Sequence, residues 1–477
     1  MNKEFKRNIG LGKAILHMMG NMIGVGIFIY PILISSHLPH PFWFFLIWII
    51  GGFIALSGAL SSAELGTHFP EAGGDYVFLK KSYGKRFAFL YGFLTFFITF
   101  PGSIAIGAGL TFHYQGDSIL GPIVKEVAFS KFGIEIRYYQ IMAAIAIFFL
   151  TAVNHFGSKA TFRLQKIVTL LPIILMIIVC SISIYFLFNQ IFTQSIQSTL
   201  AKNWSLPITF PSLIGLGSAL VPVYWTFAGW NSPLALGEEI EDPERTIPRA
   251  MILGPILVTI LYLLFSFVFI AIIPYHEFQS GTIDPYEYIG NYFLTNFGLE
   301  ADFLKIFVPK SISFLIFLIV LGNTNSAILT GSRIYVAMAR DKLFLEKVGH
   351  IDPKRNSPLF SLWLQSLWSV LLLLFMNTES NLLNFAFIAI TLLSVMTIFS
   401  LYLVRKSPMQ KKLAFKVFGY PYTPFFYIIS SLTILVLILI GFWTEKKFFI
   451  IFGSVVAILV GFLSYEIWIR FNKEEVD

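Results

Sequence analysis

The sequence predicts an all-α integral membrane protein, because apolar residues dominate it and occur in long runs. Of its 477 residues, 56% are hydrophobic and 13% are charged, whereas soluble proteins have about 25% charged residues. A run of about 20 apolar residues is long enough to cross a bilayer as a helix. Twelve transmembrane helices are therefore predicted, at residues 14–36, 42–66, 88–112, 138–156, 164–188, 212–237, 250–273, 310–334, 359–376, 382–404, 424–443 and 447–469.

The placement of basic residues predicts the orientation of these helices. If the N-terminus is cytoplasmic, 26 of the 34 Lys and Arg residues lie in cytoplasmic segments, which is the pattern that orients membrane proteins. An even number of spans puts both termini in the cytoplasm. The first apolar run is longer than the core of a signal peptide, so we interpret it as a retained helix. The predicted location is the cell (plasma or inner) membrane.

Catalytic motifs are not found in the sequence. It has no phosphate-binding Gly-Lys loop, no H-E-x-x-H pair and no G-x-S-x-G elbow. The longest outer loops, near 113–137, 189–211 and 274–309, each have fewer than forty residues, too few for a catalytic domain. The single cysteine, Cys180, excludes an intrachain disulfide, and no Cys/His cluster has metal spacing. We therefore predict one membrane domain over residues 1–477, with no enzymatic activity, cofactor, metal or nucleic-acid partner.

Three glycines interrupt the first apolar run. In "GNMIGVGIFIYP" (20–31), Gly20, Gly24 and Gly26 fall within seven residues. A helix broken inside a membrane leaves backbone groups unpaired, so breaks persist only where they line a cavity or are buried in protein. Close packing of two helices through Gly20 and Gly24 is the alternative explanation, and it leaves Gly26 unexplained.

A second interruption lies about two hundred residues further on. Span six contains "YWTFAGWNSP" (224–233), which groups small and polar residues within an apolar run. If spans 1–5 and 6–10 are two halves, each interruption is in the first helix of a half. Paired interruptions at matching positions indicate a transporter built from inverted repeats. The predicted parts are repeat one at about 14–188, repeat two at about 212–404 and two extra helices at about 424–469.

Two broken helices side by side suit a zwitterion. Each break exposes N–H groups at the start of one helix half and C=O groups at the end of the other, with matching partial charges from the helix dipoles. An α-amino acid carries a carboxylate and an ammonium group a few ångströms apart. The apolar runs have charged residues only near their ends, such as Glu64 and Arg333. Since intramembrane charges normally mark ion or proton pathways, a neutral amino acid fits best.

Four segments carry a resemblance to a known family: "GNMIGVGIF", "GALSSAELGTHFPEAGGDY" (58–76), "FAGWNSPLALGEEIEDPERTIPRA" (227–250) and "GSRIYVAMARDKLF" (331–344). Together they resemble the amino acid–polyamine–organocation superfamily, and within it the L-type amino acid transporters and their bacterial relatives. The resemblance covers roughly residues 10–405. It implies a LeuT-like, alternating-access carrier with a five-plus-five inverted repeat, helices 1 and 6 broken, and two additional C-terminal helices.

The resemblance also implies which residues bind substrate. Backbone N–H groups of Val25 and Gly26 would hold the carboxylate, and carbonyls around Met22, Ile23, Phe227 and Ala228 would receive the ammonium. Trp225 would close over the substrate from outside, or else would pack within the Phe-rich bundle. The predicted substrate-binding residues are Met22, Ile23, Gly24, Val25, Gly26, Trp225, Phe227, Ala228 and Gly229, with secondary contacts from Asn21, Ser103, Asn231, Asn323 and Asn325. Interhelical hydrogen bonding is the alternative role for the asparagines of span eight.

The expected function is sodium-independent exchange of neutral amino acids. A proton- or ion-coupled symporter on the same fold is the first alternative, and a channel or membrane sensor is the second. Arg245, which follows the second break, is a hypothetical gating residue. L-type carriers join an ancillary subunit through a cysteine after span three. Because residues 113–137 contain no cysteine, the expected partners are the amino acid and the lipid bilayer, without a disulfide-linked subunit.

Overall fold

A computed structural model describes residues 4–24, 26–116, 121–131, 134–188, 193–281, 283–296, 302–375, 382–407 and 415–472. Within these ranges, nine helices are long and apolar enough to cross a membrane. A tenth span results if the bent pair Leu11–Met22 and Gly26–Ser35 is counted as one. The prediction of a mostly helical membrane protein is therefore confirmed. Val25 lies outside the described residues.

The N-terminal half of the chain is helical apart from one hairpin. A π-helical turn at Thr95–Thr99 separates two of the helices, and strands β1 (Val127–Lys131) and β2 (Ile134–Arg137) pair in antiparallel orientation. The helices are α1 (Leu11–Met22), α2 (Gly26–Ser35), α3 (Pro41–His68), α4 (Asp75–Tyr83), α5 (Lys85–Leu94), α6 (Phe100–Tyr114), α7 (Tyr138–His155), α8 (Ser158–Phe188) and α9 (Thr193–Trp204).

The C-terminal half is also helical, with short 3-10 turns at Gly237–Glu239 and Glu346–Gly349. A further such turn lies in the N-terminal half, at Pro122–Lys125, just before the hairpin. Its helices are α10 (Leu213–Thr226), α11 (Ser232–Ala235), α12 (Pro243–Ile272), α13 (Tyr275–Ser280), α14 (Pro285–Asn296), α15 (Asp302–Arg340), α16 (Leu359–Phe375), α17 (Leu382–Lys406), α18 (Tyr422–Thr444) and α19 (Phe448–Phe471).

Each of the twelve predicted spans coincides with at least one helix. Two of them are shorter than a membrane-crossing helix: α10 has 14 residues because it ends at the second interruption, and α16 has 17. The number of spans therefore stays a prediction. Other helices extend past the apolar runs, since α15 has 39 residues and α12 has 30.

The broken helices lie in the middle of the bundle. Helix α1 packs against α8, α12 and α15, and α10 packs against α2, α3 and α18. Helices α3 and α12 run along each other and approach closely through Gly52, where a Cβ atom would lie 2.5 Å from Thr259 Oγ1. Small residues permit such close backbone approach between membrane helices. Helices α18 and α19 are the least buried of the long described helices, so they form part of the apolar surface.

Candidate functional site

The first break separates α1 from α2. Helix α1 ends at Met22, α2 begins at Gly26, and their axes differ by 48°. Ile23 N still donates to Met19 O at 2.7 Å, and Ile23 itself is extended. Gly24 and Gly26 are half-exposed although they lie at the centre of the bundle. The chain is thus interrupted where the glycines predict it, and the backbone there is partly accessible.

The second break separates α10 from α11. After Thr226 the chain turns through Phe227 and Ala228, and Gly229 has a φ of +97°. At this position a Cβ atom would lie 2.6 Å from Asn21 Nδ2 and 2.9 Å from Asn21 O. Glycine is required here because the left-handed backbone and the close approach to Asn21 both exclude a side chain. Ala228 is exposed, so this break also has accessible backbone.

The two breaks touch each other. Asn21 Nδ2 donates to Gly229 O at 3.3 Å, and a Cβ atom at Gly26 would lie 2.9 Å from Thr226 Oγ1. The structure therefore brings together the two clusters that the sequence places some two hundred residues apart.

A tyrosine of α12 joins the ends of both broken helices. The Tyr262 hydroxyl lies 3.1 Å from Met22 O and 3.1 Å from Thr226 O. A hydroxyl has one hydrogen, so the two carbonyls share it. Each carbonyl keeps a lone pair for another donor. The side chain is fully buried, with ring centroids 5.5 Å from Trp48 and 5.1 Å from Phe227.

The sequence analysis missed Tyr262. It is the hydroxyl-bearing aromatic at the middle of the apolar run 250–273, and this position was the only signal that could have indicated it. A phenolic hydroxyl buried in an apolar segment needs a hydrogen-bond partner, but the sequence does not say which one.

Helix α15 contributes one of the predicted secondary contacts. Asn323 Nδ2 donates to Asn21 O at 2.6 Å and lies 3.6 Å from where a Cβ atom of Gly24 would be. Asn21 and Asn323 are both half-exposed, so their amides border the accessible space. Ser103 is half-exposed on α6, the helix that packs against α15.

Trp225 contacts another aromatic side chain. Its ring stacks on Phe387 of α17, with centroids 4.5 Å apart and planes 27° apart. Trp225 is half-exposed and Phe387 is buried. The contact fits the packing role foreseen for this tryptophan, and its closing over the substrate stays a prediction.

Two predicted secondary contacts are engaged elsewhere. Asn325 is fully buried, accepts from Asn154 Nδ2 at 2.7 Å, and donates to Gln165 Oε1 at 2.5 Å. Gln165 Nε2 in turn donates to Thr169 Oγ1 at 2.7 Å. This amide network joins α7, α8 and α15. Asn231 Nδ2 donates to Asp75 Oδ2 at 2.6 Å, so it faces α4 instead of the first break.

One end of the bundle is closed by ion pairs. We call it the N-terminal face; it comprises residues 4–9, α4, Gly237–Glu241 and the end of α15. Arg333 Nε and Glu239 Oε1 are 2.8 Å apart, and each side chain is 1% exposed. Two further pairs close this face, Arg340–Glu238 at 2.5 Å and Lys80–Asp341 at 2.7 Å.

The N-terminal segment is bound to this face through its backbone. Asn8 N and Ile9 N both donate to Glu239 O, at 2.9 and 3.0 Å, and Glu241 N donates to Ile9 O at 2.9 Å. The Phe5 ring contacts two guanidinium groups, with its centroid 5.2 Å from Cζ of Arg333 and 5.6 Å from Cζ of Arg340. Burial raises the pKa of the Glu239 carboxyl, and the Arg333 guanidinium opposes that effect.

Arg245 does not join these pairs. Its side chain is 74% exposed and lies 3.8 Å from Asp242, so the hypothesis that it gates the second break has no contact to support it. Arg333 and Arg340 make the closing contacts instead. Among the described residues, no group of three or more His, Cys, Asp or Glu side chains is placed to hold a metal ion.

Two interrupted helices that meet at the centre of a helical membrane bundle, with accessible backbone at both breaks, define a secondary transporter. More narrowly, the chain belongs to the amino acid permease family, whose sequence model matches residues 9–464. It is therefore a permease of the amino acid–polyamine–organocation superfamily that resembles the L-type transporters, and its role is amino acid transport, not catalysis.

Individual relatives are similar over most of the chain. The serine/threonine exchanger SteT of Bacillus subtilis (strain 168) is 26% identical over 432 residues, 90% of each protein. The human large neutral amino acids transporter small subunit 2 is 27% identical over 388 residues, which are 80% of this chain and 66% of the human protein. The mouse b(0,+)-type amino acid transporter 1 is 25% identical over 414 residues, covering 84% of this chain and 77% of the mouse protein.

Proposed function

We propose that this chain exchanges small or medium neutral amino acids across the cell membrane, by alternating access and without sodium. The observation that carries the proposal is the contact between the two breaks, where Asn21 and Tyr262 join helix ends that remain accessible. The groups around this contact are backbone, amide and hydroxyl groups. Such a site matches a zwitterion whose side chain carries no charge.

The proposed binding mode follows from the polarity of the helix ends. The start of α2 at Gly26 holds the carboxylate, because helix N-termini favour anions, and the resemblance assigns the N–H group of Val25 to the same carboxylate. Carbonyls at the ends of α1 and α10, around Met22, Ile23, Phe227 and Ala228, receive the ammonium. The half-exposed amide of Asn323 provides a polar contact for a substrate side chain.

The names of relatives support the substrate class. One is described as a serine/threonine exchanger and another as a transporter of large neutral amino acids. Both descriptions refer to amino acids with uncharged side chains, which agrees with the amide, hydroxyl and backbone groups that make the contact between the two breaks. The first of these names also supports exchange as the mode of transport.

Many alternating-access carriers are built from two related halves, and helix packing supports such a division here. The corresponding helices of the two halves are α1 and α10, α3 and α12, α6 and α15, and α7 and α16. When each helix is replaced by its counterpart, an observed helix–helix contact becomes another observed contact. Helix α6 packs on α7 as α15 packs on α16, α6 packs on α16 as α15 packs on α7, and α1 packs on α12 as α10 packs on α3. This is the pattern expected of a five-plus-five inverted repeat. We accordingly propose twelve spans with both termini in the cytoplasm, which makes the N-terminal face cytoplasmic.

Counterflow in proteoliposomes tests the proposal. Vesicles are loaded with one unlabelled amino acid each, such as serine, leucine, lysine or glutamate, and uptake of labelled serine and labelled leucine is followed. Internal neutral amino acids should accelerate uptake when sodium and a pH gradient are both absent, while lysine and glutamate should not. Proteoliposomes that contain the same protein but no internal amino acid are the control.

Three outcomes would contradict the proposal. Uptake that requires sodium or an inward proton gradient would establish a coupled symporter. Uptake that does not saturate and is not accelerated from the opposite side would indicate a channel. Acceleration by lysine or glutamate would show that the site accepts charged side chains.

A further inference from the structure

The start of α4 is fastened to the second broken helix through a buried carboxyl group. Asp75 is 5% exposed, and its Oδ2 atom accepts the 2.6 Å hydrogen bond from Asn231. Its Oδ1 atom is buried and has no hydrogen-bond partner in the described part of the chain. The adjoining backbones are also joined, since Gly73 N donates to Ala235 O at 3.1 Å. Opening the N-terminal face would have to separate these groups.

The groups around Asp75 offer it no cation. Tyr91 of α5 interacts with the carboxyl electrostatically. The structure records no basic side chain of the described residues acting on it. Helix α5 carries Lys85 and Arg86, of which Arg86 pairs with Glu466, and α17 carries Arg405 and Lys406. The other ion pairs near α4 are Lys80–Asp341, Lys81–Glu71, Arg333–Glu239, Arg340–Glu238 and Arg405–Glu64.

Burial therefore decides the protonation of this carboxyl. It raises the pKa of Asp75 to about 6, against the opposing effect of the Asn231 hydrogen bond. The N-terminus of α4 also favours the carboxylate, but this contribution does not offset the cost of burying the charge. When the face opens and water reaches the side chain, the pKa returns toward the ordinary aspartate value of about 3.9. The closed form thus binds a proton more tightly than the open form.

We propose that Asp75 is a proton-binding site that links closure of the N-terminal face to the pH on that side of the membrane. The inference rests on the proposed function, because an alternating-access carrier must open this face in each cycle. Below about pH 6 the carboxyl is neutral and its burial stabilises the closed form. Above it, the buried charge opposes closure. Between pH 7.5 and pH 5.0 the ratio of closed to open protein rises about tenfold.

Thiol labelling measures this opening without requiring transport. Ala235 is 3% exposed beneath the start of α4, so a thiol introduced by Ala235→Cys reacts with a hydrophilic maleimide only when the face opens. The native Cys180 is buried. Lys354 is exposed, so the labelling rate of Lys354→Cys measures the effect of pH on the maleimide reaction itself. The rates for Ala235→Cys are divided by it. Corrected labelling in lipid nanodiscs should fall about tenfold from pH 7.5 to pH 5.0.

Two neutral variants separate Asp75 from its neighbours. Asp75→Asn, combined with Ala235→Cys, should label slowly at both pH values, since its amide imitates the protonated carboxyl. Glu71→Gln is the matched control. Glu71 lies in the loop that precedes α4 and its side chain is 47% exposed, so this variant should leave the pH response of labelling unchanged. The proposal is overturned if the native chain shows no pH response, or if Asp75→Asn retains it.

A third variant covers the case in which Asp75→Asn does not fold. Asn231→Leu removes the donor that favours the carboxylate, so the midpoint of the pH response should move to higher pH; an unchanged midpoint would also overturn the proposal. Because labelling needs no substrate, labelling without a pH response in a chain that performs counterflow would refute this inference and leave the proposed function standing.

Discussion

The centre of the bundle and its N-terminal face are held together by different chemistry. At the centre, the two breaks are joined by Asn21 and by the shared hydroxyl of Tyr262, and the backbone there is accessible. At the N-terminal face, Arg333 pairs with Glu239 and Arg340 with Glu238. Neutral contacts thus join the two breaks, and charged contacts close one end of the bundle.

This difference separates binding from closure. A zwitterion at the centre needs helix ends whose partial charges are not compensated by nearby full charges. A closed face needs contacts that are stable when dry and that water can replace when the face opens. Ion pairs suit the second task, because hydration offsets part of the energy lost when they separate. Variants in the two regions should therefore affect different measurements.

The largest effect is expected on stability, at the N-terminal face. Arg333→Met leaves the Glu239 carboxyl buried without its partner, which should reduce the free energy of unfolding by about 3–5 kcal/mol. The thermal unfolding midpoint in detergent reports this loss. Arg245→Met is the matched control, since that arginine is 74% exposed and exposed pairs contribute about 0–1 kcal/mol. Equal shifts in the two variants would contradict the importance of burial at this face.

A large loss of transport, with a smaller loss of stability, is expected at the second break. Gly229→Ala places a Cβ atom 2.6 Å from Asn21 Nδ2 and strains a backbone that is at φ +97°. The two broken helices should move apart, and counterflow should fall by at least about tenfold. Gly84→Ala is the control, because it has φ +86° and no atom within 4 Å of its Cβ position. Gly84→Ala has the backbone strain, about 1–3 kcal/mol, without the contact, so equal counterflow in both variants would contradict the role of the contact.

A smaller effect is expected when the hydroxyl between the breaks is removed. Tyr262→Phe leaves Met22 O and Thr226 O without this donor, and buried unsatisfied groups cost about 1–3 kcal/mol. Counterflow at low substrate concentration should decrease about fivefold to a hundredfold. Tyr335→Phe is the matched control: its hydroxyl is also fully buried and donates to Thr95 O at 3.0 Å, away from the breaks. It should reduce stability and leave the apparent affinity unchanged.

Local features of the fold could be predicted from the sequence. Long apolar runs fix where helices form, and the clusters at Gly24–Gly26 and Ala228–Gly229 interrupt them within the same few residues that the structure shows. Both signals depend on residues that are adjacent in the chain. The bounds of the helices were less predictable, because α12 and α15 continue past the apolar runs into polar segments.

Contacts between distant segments could not be predicted in this way. The partners of Tyr262 are 240 and 36 residues away, and Arg333 is 94 residues from Glu239. The sequence does not show which arginine is buried. Arg245 points to solvent, whereas Arg333, near the end of an apolar run, is buried. Asn325 and Asn323 are two residues apart on α15, yet one joins the amide network and the other borders the accessible space. Helix rotation and packing decide such differences.

The hydrogen bonds between Asn8, Ile9 and Glu239–Glu241 have a mechanical consequence. They join the chain just before α1 to the chain just after α11, while Asn21, near the end of α1, donates to Gly229 O just before α11. The N-terminal half of the first broken span and the C-terminal half of the second are thus connected at both ends. A force applied at one end is transmitted to the other, so these two half-helices should tilt as a single rigid unit when the carrier changes conformation.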